Sequence, residues 1–231
     1  MDLLLQAVEN ALRLLFTFDP ALRQIVWLTL QVTGAALLIA TIVGVPIGVL
    51  IGLRQRVPAM GCLLPLIYTG MGLPPVVAGL LVYMLLSNQG AMGDLRWLFT
   101  PTAMIMAQTV IALPLVVGLT ITAVQSVDPL IRLQVKALGA TRPQLAWTIL
   151  LEARLGVLAA ILAAFGRIIA EVGAVMLVGG NIETQTRVMT TAIVLETRRG
   201  NFALALALGL ILLAMAFILN FTLYHMQQQS K

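Results

Sequence analysis

The sequence predicts an all-α fold: a polytopic membrane helical bundle with five transmembrane helices, an amphipathic interfacial helix at the N-terminus and short helices in one loop. Of 231 residues, 60% are hydrophobic and 10% charged, with a mean hydropathy of +1.02, well outside the composition of a soluble globular domain. Four blocks, 24–53, 57–93, 97–127 and 201–230, contain no Asp, Glu, Lys or Arg, and each can cross roughly 30 Å of hydrocarbon at roughly 1.5 Å per residue. A fifth apolar run, 155–178, carries only Arg167 and Glu171. Five spans of roughly 20 residues use roughly 100 residues, so 1–231 reads as a single transmembrane domain with no separate soluble catalytic domain.

Within 1–19, Asp2, Gln6, Glu9, Asn10, Arg13 and Thr17 trace one polar stripe at helical spacing. The remaining face is Leu-rich. That pattern suits a helix lying in the membrane interface, or equally one packed against the bundle, stopped near Asp19 and Pro20. No basic segment and small-residue cleavage site precede it, so Met1 onward is taken as mature protein. The spans are expected at 24–53, 60–87, 101–125, 155–179 and 202–225. Gly44, Gly48 and Gly52 recur every four residues in the first, which permits close helix crossing. Gly70, Gly72, Pro74, Pro75 and Gly79 interrupt the second, and Pro114 and Gly118 the third. Broken helices of this kind can mark a substrate path or hinge, or simply tight packing.

The net charge of +5 comes from 14 Lys and Arg thinly spread between apolar blocks, which argues for an orientation signal at the lipid surface and against nucleic acid. Five spans place the chain ends on opposite sides. With the N-terminus outside, seven basic residues fall on inner segments and six on outer ones, too even a split to choose the orientation. The single cysteine, Cys62, excludes an intrachain disulfide and a multi-thiolate metal site. There is no phosphate-cradling GxxxxGK[ST], no HExxH and no paired-carboxylate arrangement, so the chain reads as a non-enzyme with no cofactor or metal of its own.

The loop 126–146 holds the most distinctive pattern. A helix from about 129 to 138 should end at Gly139 in a left-handed C-cap, and a second should open at Thr141 with Pro143 in its first turn. Two short helices at an angle make a knob. Through Ala137-Leu138-Gly139-Ala140 followed by Ile149-Leu150-Leu151, this segment resembles the cytoplasmic coupling loop of bacterial ATP-binding-cassette importer permeases. Leu133 stands where that family usually has glutamate, Gln134 and Val135 where alanines are usual, and Glu152 in place of the customary proline. Leu133, Val135 and Leu138 can anchor in a pocket while Lys136 and Arg142 pair at its rim. Alternatively, a basic loop of this kind binds anionic lipid.

A second stretch, Glu171-Val-Gly-Ala-Val-Met-Leu-Val-Gly-Gly-Asn181 with Thr186-Arg-Val-Met-Thr-Thr-Ala-Ile193, resembles the molybdate, tungstate and sulfate permease group, and within it the tungstate type. The resemblance implies a type I importer permease of the bacterial inner membrane, with the knob on the cytoplasmic side. It implies a homodimer of this chain, two copies of a partner ATPase that uses ATP and Mg, and an external substrate-binding protein. Docking on the ATPase would fall to Arg132, Leu133, Val135, Lys136, Ala137, Leu138, Gly139, Ala140, Thr141 and Arg142. Path or gate positions would be Arg167, Glu171, Asn181, Thr184, Thr186 and Thr190. Arg167 and Glu171, four residues apart, can form an internal clamp, brace a gate or meet an entering oxyanion. Hydroxyls and amides of 181–191 suit hydrogen bonds to tetrahedral oxyanions. A molybdate or sulfate permease of the same architecture is the near alternative. An ion-coupled transporter, which would want inverted repeats or intramembrane acids, and an intramembrane enzyme are the distant ones.

Overall fold

The computed structural model describes residues 8–14, 20–54 and 60–228. All regular structure among them is helical: α1 (Pro20–Leu53), α2 (Met60–Met71), α3 (Pro75–Leu86), α4 (Pro101–Gln125), α5 (Pro129–Ala137), α6 (Arg142–Glu152), α7 (Arg154–Ile169), α8 (Gly173–Gly179), α9 (Met189–Arg198) and α10 (Phe202–Gln228), with a 3-10 turn at Gly93–Leu95. Proline sets many of the starts. Pro75, Pro101 and Pro129 each occupy a first turn, where the missing N–H costs no hydrogen bond.

Three helices, α1, α4 and α10, are individually long and apolar enough to cross a membrane. Two bent pairs, α2 with α3 at 99° and α6 with α7 at 69°, are also apolar enough when each is taken together, so length and composition fit three to five crossings among the described residues. The expected span 60–87 is therefore two helices, broken at 72–74, because Pro74 sits at φ −60° and ψ 126°, the extended geometry that a following proline imposes. The expected span 155–179 is also divided. α7 stops at Ile169 and α8 restarts at Gly173, with no proline between them.

Residues 8–14 of the predicted interfacial helix are helical, and Ala11 packs with Leu22, Ile25, Ala207 and Leu208 while Val8 and Leu12 stay exposed. In this segment packing against the bundle is what the structure contains. The rest of 1–19, including the predicted stop at Asp19, lies outside the described residues.

α4 runs through the centre, with Met104, Ala107, Ile111 and Val116 fully or almost fully buried against α1, α3, α7 and α8. The glycine ladder of α1 makes this possible. A Cβ built on Gly48 would lie 2.6 Å from Thr120 Cβ, and one on Gly52 2.8 Å from Val124 Cγ1. On the other side of α4, a Cβ on Gly156 of α7 would lie 2.6 Å from that of Ala123. α3 and α8 approach just as closely, since a Cβ on Gly79 would lie 2.6 Å from Ala174 Cα.

Gly48→Val should therefore lower the thermal midpoint of the detergent-purified protein by several degrees, an overpacking cost of about 1–3 kcal/mol. Gly34→Ala, where the added Cβ meets nothing within 4 Å, should not lower it. Differential scanning fluorimetry of the two variants checks the pair, and equal midpoints would contradict the close α1–α4 crossing.

Candidate functional site

The knob after α4 is built from local capping. Asp128 Oδ1 accepts the Leu130 N–H at 2.8 Å and opens α5. At the other end Gly139 has φ +78°, the Gly139 N–H reaches Lys136 O at 3.0 Å and the Ala140 N–H reaches Val135 O at 3.3 Å. These are the two bonds of a Schellman cap, which needs a left-handed residue at this position. The Thr141 N–H then donates to Gln144 Oε1 at 2.8 Å and opens α6. The two-helix geometry expected from Gly139, Thr141 and Pro143 is present.

Two buried side chains fix the knob to the bundle. Ile149 of α6 is fully buried among Val49, Val124, Val127 and Val157. Arg132 turns inward as well, 8% exposed, and its guanidinium donates to the Val124 carbonyl at the end of α4. Arg132 therefore anchors the knob and does not present a charge on its surface. Leu133, Lys136, Ala137, Leu138 and Arg142 are exposed, while Val135 and Ala140 are half-buried. Leu138, at 87% exposure, projects almost completely into the surroundings. The apolar surface also includes Leu130 and Trp147, at 61% and 62%. Neither was predicted from sequence, though Leu130 precedes Leu133 by three residues and so shares its helix face.

The division of the fifth span is held by polar groups from α4, from α9 and from the break itself. The Gln108 amide of α4, almost completely buried, donates to Ile168 O at 3.1 Å. Glu171 Oε1 accepts the Ala174 N–H at 3.0 Å and caps α8. Thr190 Oγ1 of α9 donates to the Glu171 carbonyl at 2.8 Å. The clamp expected between Arg167 and Glu171 does not form. The helix ends at Ile169, so the two residues leave on different faces, and the ion pairs among the described residues are Arg187–Glu183 at 3.5 Å and Glu196–Arg199 at 3.1 Å. Glu171 is 8% exposed, whereas Arg167 is exposed beside Ala163, Gly166 and Ala170.

At the end of α4 opposite the knob, two segments lean together, and the Phe99 N–H donates to Val178 O at 2.9 Å. Arg96, Phe99, Asn181 and Thr184, the non-glycine residues with positive φ among those described, all lie in these segments. Such strain collects where surrounding structure holds a functional shape. A cavity of about 590 Å³ opens there, lined by Tyr83, Ser87, Asn88, Gln89, Arg96 and Phe99. Thr186 and Thr190, expected as free hydroxyl donors, are committed to backbone. Thr186 Oγ1 donates to Gly179 O and accepts the Ile182 N–H at 2.9 Å. An irregular segment must pair its buried peptide groups first. Thr184 offers its carbonyl to Gln24 Nε2 at 3.1 Å, and Asn181 Oδ1 is buried without a protein partner among the described residues.

Known proteins share this chain's sequence and architecture. The Probable anion ABC transporter permease protein of Haloferax volcanii is 43% identical over 197 residues, 83% of this chain and 84% of that protein. The Tungstate uptake system permease protein TupB of Peptoclostridium acidaminophilum is 36% identical over 230 residues, 99% of this chain and 100% of that protein. The Molybdenum transport system permease protein ModB of Escherichia coli is more distant, 28% identical over 205 residues, 84% of this chain and 89% of that protein. The fold matches the crystal structure of a bacterial ABC transporter that imports the acidic polysaccharide alginate, with a TM-score of 0.76 at 18% identity, covering 96% of this chain and 83% of that one. With residues 44–230 also matching the family described as the binding-protein-dependent transport system inner membrane component, the chain belongs to that family of permease subunits of ABC importers.

Proposed function

We propose that this chain is the membrane-spanning subunit of an ATP-driven importer for tetrahedral oxyanions, tungstate first among them. Two copies form the path between them and alternate access from one side of the membrane to the other. A separate ATPase, present in two copies, binds ATP and Mg and docks on the knob. An external binding protein captures the anion and delivers it to the strained end of the bundle.

The observation that carries this reading is the knob's exposed apolar surface. Leu130, Leu133, Leu138 and Trp147 project from a tightly capped turn, with Lys136 and Arg142 exposed in the same two helices. A cluster of that kind fits a partner pocket, with charged residues fixing the register. The likeness to TupB along the whole chain supports tungstate over molybdate or sulfate. Arg167 supplies the matching chemistry in the span. An unpaired cation facing lipid costs about 2.5–3.5 kcal/mol on insertion scales, so its exposed face belongs to a wet path that an anion can use.

Leu138→Asp leaves the fold's interior untouched, so its thermal midpoint should be unchanged. Loss of a buried anchor is worth about 2 kcal/mol, so ATPase co-purification and ATP-dependent uptake should fall by more than tenfold. Unchanged uptake would remove the coupling role. Gly139→Val forces a β-branched residue to φ +78° where a Cβ meets no neighbour, so it acts on turn conformation alone and should impair coupling as strongly.

In vesicles carrying the permease, its ATPase and its binding protein, tungstate should accumulate with ATP and should outcompete molybdate and sulfate. Accumulation that persists without the ATPase would contradict the proposal, and a sulfate preference would reassign the substrate.

A further inference from the structure

Arg167 and Glu171 are spaced to pair on one helix, and the fold keeps them apart. Were 167–174 continuous, the two side chains would sit one turn apart on the same face, close enough for an ion pair. Instead the chain leaves the helix at Ala170, Glu171 turns inward at 8% exposure, and its carboxylate takes the Ala174 N–H at 3.0 Å. Arg167 remains outside, among the small side chains of Ala163, Gly166 and Ala170, with no acidic partner among the described residues.

Two of the three residues in the interruption stay near helical geometry. Ala170 has φ −86° and ψ 1°, and Val172 has φ −114° and ψ −51°, so both lie in or beside the right-handed helical region. Restoring the missing turn requires helical dihedrals throughout 170–172. The polar contacts that resist it come from α4, through Gln108 on Ile168 O, and from α9, through Thr190 on Glu171 O. α6 joins α7 directly at Ala153, the C-cap of one helix and the N-cap of the other, across a 69° bend, so a displacement of the knob bears on one end of α7 and this break lies at the other.

We propose that Glu171 is a positioning residue that acts through Arg167 as a charge switch on the translocation path. With the helix broken, Glu171 is spent on capping α8 and Arg167 is free to hold an oxyanion. When the knob moves and the turn at 170–172 closes, Glu171 swings onto the face of Arg167 and forms the four-residue ion pair. The arginine is neutralised and the anion is released. Electrostatics favour this sequence: a dianion held by an unopposed cation in a low-dielectric path leaves slowly, and a carboxylate arriving on the same cation replaces it. The inference rests on the reading of Arg167 as a path residue, and the test separates the two.

The experiment compares the complex carrying wild-type permease, Glu171→Gln, Arg167→Gln and the double variant in vesicles, measuring tungstate transported per ATP hydrolysed together with the thermal midpoint. Glutamine at 171 can still accept the Ala174 N–H, so the midpoint should hold while tungstate per ATP falls about tenfold, within the usual range of coupling between sites. Arg167→Gln should also lower it, and the double variant should transport no worse than Arg167→Gln alone, because no cation is left to neutralise. Glu171→Asp, which keeps the charge, should retain more transport than Glu171→Gln even where it lowers the midpoint. Unchanged tungstate per ATP in Glu171→Gln, losses that multiply in the double variant, or better function from glutamine than from aspartate would each overturn the switch while leaving the path reading intact. Normal transport by Arg167→Gln would remove the path reading itself.

Discussion

Backbone polar groups inside hydrocarbon find no water, so every interruption of a spanning helix has to be closed by the protein itself. This chain interrupts two of its apolar runs, at 72–74 and 170–172, and the rest of the architecture follows from how those breaks are closed. The first is sealed by proline geometry, since Pro75 offers no N–H and Pro74 is held extended. The second is sealed from a distance, with Gln108 reaching across from α4 and Thr190 from α9. The broken elements can then pack tightly, as α3 and α8 do where Gly79 meets Ala174.

The same requirement sorts the polar residues into those that hold the fold and those left for function. Thr186, Thr190 and Gln108 place polar groups on backbone atoms of the irregular segments, and Glu171 caps a half-helix. Arg132 does similar work beneath the knob. Among the exposed residues, those at the proposed sites are Arg167 on the small-residue face of α7, Arg96 by the cavity at the far end, and the apolar tip of the knob. Glu196, buried and paired with Arg199 and Asn201 three and five positions further along the chain, belongs to the first class.

Much of this was legible in the sequence because it is written locally. Apolar runs of sufficient length fix where spans lie, the Gly44-Gly48-Gly52 repeat marks a helix crossing, and Gly139 followed by Thr141 and Pro143 encodes the cap, turn and restart of the knob. The break at 170–172 was not legible. It contains no proline, and its closing contacts come from residues 60 and 19 positions away along the chain. Four-residue spacing therefore suggested an Arg167–Glu171 pair that only an uninterrupted helix can make. Arg132 misled for the same kind of reason: a basic residue in an exposed loop looks solvated until the carbonyl of Val124 is seen above it. Hydroxyl-rich composition at 181–191 likewise suggested a lining for anions, but it could not show that two of those threonines are already spent on neighbouring peptide groups.

The central claim is that the knob faces the nucleotide-hydrolysing partner and transmits its movement to the broken spans. Thiol labelling tests this most directly, with Leu138→Cys placed in a Cys62→Ser background and a membrane-impermeant maleimide added to vesicles of known orientation. The account predicts labelling from the cytoplasmic side only, and protection when the ATPase subunit is bound. Labelling from the external side, or labelling indifferent to the ATPase, would contradict it.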